Sequence, residues 1–397
     1  MEIRADPLHT LTVAKRWCYS GEVRAGVAIG GLAAIFVAAC GAFSAIGIVP
    51  DSDDPAPSPT DRVDGGSDVA VPDGSAPDDA SALDVAVGTD GGCVPGSAND
   101  CGECGHSCKG ATCNAGLCTP QSVASVATSP ATSLSAAKGG VAWVVGGKDG
   151  FWCDATLTLP CTPKALSGLN AIERVYLTDK AVAYGSAAPV NTLYRCNASN
   201  CASANATFTA NNGVVCSADG PDLYCVELAA NNTFRVASGA NSRTLLAQNG
   251  DGAAVASRNA KIYVAIVGKG LVSFTYSGAT PADLSGSTPF ESGTIDAVVA
   301  IGSQACWLKG GVITCGMSVG AKTTLAPTGV TALATDATYV YYATSKQLHR
   351  IKPDGTGDLL LADLGAATLD GIAPSSDGWL YYASSSGAEH AVRRVAK

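Results

Sequence analysis

The sequence predicts an all-β chain built around a seven-bladed β-propeller, and three observations carry that reading. A small or aliphatic residue followed by an aromatic recurs seven times, with aromatic-to-aromatic steps of 41, 40, 39, 44, 34 and 40 residues. Each period holds four short apolar runs separated by Gly, Asn, Ser and Thr turns, which is the content of one four-stranded blade. The chain is also rich in glycine, with 46 Gly, and only 6 % aromatic, a mix that suits short strands and tight turns.

Four segments precede the repeats. Residues 1–24 read as a cytoplasmic tail or the n-region of a signal, with Lys15, Arg16 and Arg24 ahead of an uncharged run over residues 25–49. As a helix those 25 residues would reach about 37 Å, enough for a hydrocarbon core of about 30 Å. Asp51, Asp53 and Asp54 follow it, so the positive-inside bias places the remainder outside the cytoplasm. A second exported reading shares the segment. Val37-Ala38-Ala39-Cys40 resembles a bacterial lipobox, which makes Cys40 a candidate lipidation site, although the apolar run continues nine residues beyond it. Both readings predict a membrane partner through residues 25–49 and a bacterial cell-envelope location, in the periplasm or at the cell surface.

Residues 50–92 hold eleven Asp, six Pro, one Arg and no aromatic, and therefore read as an extended, disordered spacer. The net charge of −9 is almost wholly this tract, because the residues beyond it carry 20 basic and 20 acidic side chains. With no basic stripe to follow a phosphate backbone, the sequence predicts no nucleic-acid partner. No spaced Asp-x-Asp-x-Asp-Gly loop occurs in the tract, so no calcium site is predicted either.

Cys93, Cys101, Cys104, Cys108, Cys113 and Cys118 fall within residues 93–118. Cys101 and Cys104 have zinc-ligand spacing, but six cysteines in an oxidising compartment read better as three disulfides of a small knot. The nearby His106 then reads as a surface residue. Residues 119–397 form the propeller. Its marker pairs are Ala142-Trp143, Ala183-Tyr184, Leu223-Tyr224, Ile262-Tyr263, Cys306-Trp307, Val340-Tyr341 and Leu380-Tyr381. An apolar run upstream, such as Val214-Val215-Cys216, gives the innermost strand, and the aromatic marks the second. A third run often carries Arg, as in Leu348-His349-Arg350-Ile351, and an outer run such as Leu359-Leu360-Leu361 completes the unit. The seventh repeat ends after its third run. The apolar-alternating stretch at residues 122–127 is predicted to supply the missing outer strand and close the ring without an open edge. In this register Cys153 and Cys161, Cys196 and Cys201, Cys216 and Cys225, and Cys306 and Cys315 each fall on neighbouring strands of one blade, predicting four local disulfides.

The knot Asp100-Cys101-Gly102-Glu103-Cys104-Gly105-His106-Ser107-Cys108, the Asp-rich spacer, and blades such as Ala334-Thr335-Asp336-Ala337-Thr338-Tyr339-Val340-Tyr341-Tyr342 resemble exported β-propeller proteins abundant in myxobacteria. The segment from Tyr194-Arg195-Cys196 to Cys201 is similar to their third-strand cysteine pair. More distantly, the blades resemble the YWTD propellers of low-density-lipoprotein receptors. The resemblance covers residues 51–397 and implies an exported propeller, without implying a reaction. Two departures stand out: only two blades keep the third-strand cysteine pair, and Trp-Thr is missing after the aromatic.

No nucleophile elbow, phosphate loop or His-Glu-x-x-His helix occurs in the chain, and His349 and His390 lack a carboxylate or cysteine at catalytic or ligand spacing. Asp354-Gly355-Thr356-Gly357-Asp358 reads as a turn rather than a cation loop. The sequence thus predicts no catalytic residue, no metal and no cofactor. It points to a binding module for a protein, peptide or glycan, with a hydrolase or lyase and a purely structural envelope component as alternatives. The candidate ligand face is the rim of second-to-third-strand turns, carrying Lys148, Asp149, Asn191, Glu227, Lys269, Lys309, Lys346 and Glu389.

Overall fold

The computed structural model describes residues 96–397 apart from 127–128, 157, 170–171, 180–181, 188–191, 204, 210–212, 229, 239, 241, 279 and 326–327. The tail, residues 25–49 with Cys40, the spacer and Cys93 lie outside the described residues. Among those described, no helix is long and apolar enough to cross a membrane.

Seven antiparallel sheets follow one another in chain order. Blade 3 shows the unit, with strands Val214–Asp219, Asp222–Glu227, Asn232–Val236 and Thr244–Gln248 hydrogen-bonded in sequence. The aromatic of each second strand faces a neighbouring blade, and Trp143, Tyr184, Tyr263, Trp307, Tyr341 and Tyr381 are all essentially inaccessible. Burial of such a large side chain in each interface is the main reason the period is legible. The recurring Arg is its cross-strand partner: Tyr184 opposes Arg195, Tyr224 opposes Arg235, Tyr341 opposes Arg350 and Tyr381 opposes Arg394.

The innermost strands crowd the axis and so use small residues whose hydroxyls bridge blades. Ser133 Oγ accepts from the Val175 amide at 3.1 Å and Ser135 Oγ from that of Leu177 at 2.9 Å, joining blade 1 to blade 2. Thr335 donates to the Ala300 carbonyl at 3.1 Å and Ser375 to that of Ala137 at 2.7 Å. Each bridge satisfies a buried polar group that would otherwise be costly.

The ring closes as the sequence predicts. The strand Gln121–Val126 pairs antiparallel with Glu389–Ala396, the third strand of blade 7, in a register from Gln121↔Arg394 to Val126↔His390. Blade 4 departs from the simple repeat. After its third strand, Gly270–Thr275, the chain crosses to blade 3 and adds Ala282–Asp283 in parallel to that blade's outer strand. It then returns as Glu291–Ser292, a two-residue outer strand beside Gly270 and Leu271. Gly270 has φ +123°, and a Cβ there would stand 2.0 Å from the Glu291 carbonyl oxygen, so the return needs glycine. Phe290 enters the core on this return and meets Tyr263 and Trp307 edge-on.

All four predicted blade disulfides are present: Cys153–Cys161, Cys196–Cys201, Cys216–Cys225 and Cys306–Cys315. The last two join directly opposed residues of neighbouring strands. In the knot, Cys101 bonds Cys113 and Cys108 bonds Cys118, and Cys104 is also disulfide-bonded. Replacing Cys216 and Cys225 together by Ala should cost about 2–3 kcal/mol, because a short loop loses modest chain entropy. A urea titration should show that loss as a lower midpoint.

His106 is buried, not a surface residue: it lies at the junction of knot and propeller, with Nδ1 2.6 Å from the Cys101 carbonyl and Nε2 3.4 Å from that of Ala396. The knot is therefore packed onto blades 6 and 7. Glu103 pairs with Arg350, and Lys109 reaches the Asp377 carbonyl with its ammonium.

Candidate functional site

A propeller presents two faces. One carries the second-to-third-strand turns and the connections between blades. The opposite face carries the first-to-second-strand turns, and this is where the knot sits, over the third-strand ends of blades 6 and 7. The face predicted to receive a ligand is thus the one opposite the knot.

The eight rim residues do not behave alike. Lys148, Asp149 and Lys346 are exposed, and their side chains have no partner among the described residues. Lys309 is exposed but pinned, donating to Glu291 Oε1 and the Ser292 carbonyl, both at 2.7 Å. Lys269 is held by the carbonyls of Leu284 at 2.9 Å and Ser285 at 3.0 Å. Glu389 pairs with Arg393 at 3.1 Å. Asn191 lies outside the described residues.

Glu227 is a correction: it is 1 % exposed and cannot serve an open face. Its carboxylate takes Arg243 at 3.0 Å and the Asn232 amide at 3.2 Å, tying the turn of blade 3 to its outer strand. A charge at a hairpin end reads as exposed in the sequence, and nothing local announces that the neighbouring Arg folds over it.

The blade 4 excursion supplies acid to the same rim. Glu291 lies between Lys309 and Lys322, and although burial pushes its carboxyl up, the two ammonium groups hold it below the usual range. Asp296 Oδ2 accepts from the Gly310 amide at 2.8 Å and fixes the blade 5 turn.

Blade 7 holds a cluster that the sequence did not reveal. Ser385, at the end of the second strand, directly opposes His390 on the third. Its hydroxyl donates to Asp370 Oδ2 at 2.5 Å, and His390 Nδ1 lies 2.7 Å from the Ser385 hydroxyl oxygen. Asp370 reaches this position because the first strand bulges there, its register shifting between Leu369 and Gly371. Burial raises its carboxyl above the ordinary value, while Ser385 and the His390 charge pull it back.

On the opposite face, burial raises Asp219, with Arg258 and Ser257 opposing the shift. Asp222 pairs with Arg235. The sulfurs of Cys101, Cys108 and Cys118 lie together, but all three are in disulfides and offer no thiolate to a metal. An open depression of about 440 Å³ also lies on this side, lined by Gln121, Ser122, Leu159, Pro160 and Arg394. Arg394 is committed to Gln121, to the Ala155 carbonyl and to the Trp379 ring.

No family model matches the chain, and no curated protein matches it. Solved structures do. Virginiamycin B lyase from Staphylococcus aureus aligns with TM-score 0.52 at 10 % identity, over 70 % of this chain and 98 % of that one. The WD40 propeller domain of Doa1 aligns with TM-score 0.51 at 11 % identity, over 70 % and 97 %. PorZ, described as an essential bacterial surface component of the type-IX secretion system of Porphyromonas gingivalis, aligns with TM-score 0.50 at 11 % identity. The match covers 70 % of this chain but only 39 % of PorZ. At these identities the likeness establishes the fold alone, and one propeller frame serves both a lyase and a WD40 domain.

Proposed function

We propose that this chain is an exported propeller that binds a macromolecular partner, a protein, peptide or glycan, through its second-to-third-turn face. The observation that carries the reading is the asymmetry of the two faces. The knot occupies the opposite face at blades 6 and 7, whereas the proposed face presents Lys148, Asp149 and Lys346 unengaged on their turns. Rim charges of both signs suit partner selection and encounter more than the enclosure of a small molecule. Six disulfides within the described residues support an oxidising compartment. That fits export behind residues 25–49 and a stalk over residues 50–92.

Capture from envelope extract with the full chain, followed by the triple variant Lys148→Glu, Asp149→Lys and Lys346→Glu, tests the face. We expect a specific partner to be lost from the variant while its melting curve is unchanged. Identical capture by both proteins would rule this face out.

The anchor has its own test. If residues 25–49 span the membrane, Cys40→Ser should leave both membrane retention and mass unchanged. Loss of a lipid label with a drop in mass would instead identify a lipoprotein.

A further inference from the structure

Three histidines lie among the described residues, and two have both ring nitrogens set against oxygen atoms. His106 meets the carbonyls of Cys101 and Ala396. His349 meets Asp358 at 3.3 Å through Nδ1 and Gln347 at 3.4 Å through Nε2. His390 differs: its Nδ1 is held by Ser385, and its Nε2 has no partner among the described residues.

The hydrogen-bond inventory fixes the direction of the blade 7 chain. An ionised carboxylate only accepts, so Ser385 spends its one proton on Asp370. The imidazole must then donate from Nδ1 to the Ser385 oxygen. In the neutral ring this leaves the lone pair on Nε2, the nitrogen with no partner. Selection of one tautomer by the partner of the other nitrogen is how proteins prepare a histidine for proton transfer. The bulge that turns Asp370 toward Ser385 recurs at the first strands of blades 1, 2 and 4, so the blade itself supplies the carboxylate's position.

We propose that Asp370, Ser385 and His390 form an acid–base site whose working atom is Nε2 of His390 and whose ligand presents a hydroxyl group. On proton transfer the ligand O–H bond breaks, the proton passes to Nε2, and the oxygen keeps the electron pair. The imidazolium so formed faces the Asp370 carboxylate across Ser385. Ser385 and Asp370 are positioning residues, and His390 is the base. The cluster flanks the blade 7 turn of the same rim, but its chemistry rests on one blade and would survive the loss of Lys148, Asp149 and Lys346.

Two measurements on the full chain test it at neutral pH. With nitrogen-15 histidine, the His390 ring should show the Nδ1–H form. Ser385→Ala should shift it toward the Nε2–H form, and Ser385→Thr, which keeps the hydroxyl, should not. With diethyl pyrocarbonate, which acylates an unprotonated imidazole nitrogen, His390 should react about fivefold faster than His349, whose ring stacks on Tyr342 and whose two nitrogens face side-chain oxygens. A wild-type His390 in the Nε2–H form would overturn the proposal. So would equal rates at the two histidines, or a tautomer unmoved by Ser385→Ala. Should that variant fail to fold, the wild-type tautomer and the rate ratio still decide.

Discussion

Removing residues 119–128 should convert a well-behaved propeller into a destabilised, self-associating one. Among the described residues, the strand Gln121–Val126 is the only neighbour on the outer side of the third strand of blade 7. It also delivers Val123, Ala124 and Val126 to the core, each at most 5 % exposed. Burying a valine side chain contributes about 1.5–3 kcal/mol, so the two valines alone account for several kcal/mol before the ladder is counted. That is a large part of the ~5–15 kcal/mol by which ordinary domains are stable. The deletion would also leave a run from Glu389 to Ala396 with unpaired backbone groups, a template for a second chain. Size-exclusion chromatography should show aggregates, and the melting temperature should fall sharply. Because the deletion also loosens the tether of the knot, Val123→Asp gives a second reading with the knot in place. It sets an uncompensated charge at a site with no exposure and should destabilise the closure without shortening the chain. An unchanged melt and a monomeric deletion would refute closure by this strand.

The parts of this fold that were legible in the sequence depend on short-range repetition. The second-strand aromatics could be read because each blade interface needs one large side chain, and the need recurs at nearly constant spacing. The blade cysteines could be read because Cys216 and Cys225, or Cys306 and Cys315, are the two arms of one hairpin. The closing strand announced itself as an apolar alternation with no partner nearby. What escaped depends on contacts between distant residues. The burial of His106 follows from a contact with Ala396, which no local pattern encodes. The 44-residue step between Tyr263 and Trp307 marks extra chain, but not that it joins blade 3 before returning. The Asp370–Ser385–His390 cluster hides for a different reason. Serine and aspartate are common in turns, and only the bulge brings these two together.

Lys397→Met should cost about 3–5 kcal/mol, the usual result of stripping one partner from a buried ion pair. Lys397 pairs with Asp336, and the two side chains are 11 % and 12 % exposed. Asp336 sits in the first-to-second turn of blade 6, where its Oδ1 accepts from the amides of Thr338 and Tyr339 at 2.8 Å and its Oδ2 from the Tyr341 hydroxyl at 2.6 Å. Tyr341 is a blade aromatic, so this carboxylate links the turn, the interface and the end of blade 7. Burial alone would raise the Asp336 carboxyl, but the Lys397 ammonium and these hydrogen bonds outweigh it and hold the group below its ordinary value. A lowered carboxyl contributes stability above the unfolded value of about 4 and loses it as pH falls through the folded value. Without Lys397 the Asp336 carboxyl keeps its three hydrogen bonds but should rise, so the variant should lose less stability than the wild type as the pH falls below about 4. The double variant Asp336→Asn with Lys397→Met removes both charges and should recover much of the loss at neutral pH, since no unpaired ion stays buried. Urea titrations of the three proteins at neutral and acidic pH provide the check. Parallel pH profiles for wild type and Lys397→Met would mean that Asp336 draws its charge stabilisation from its hydrogen bonds alone.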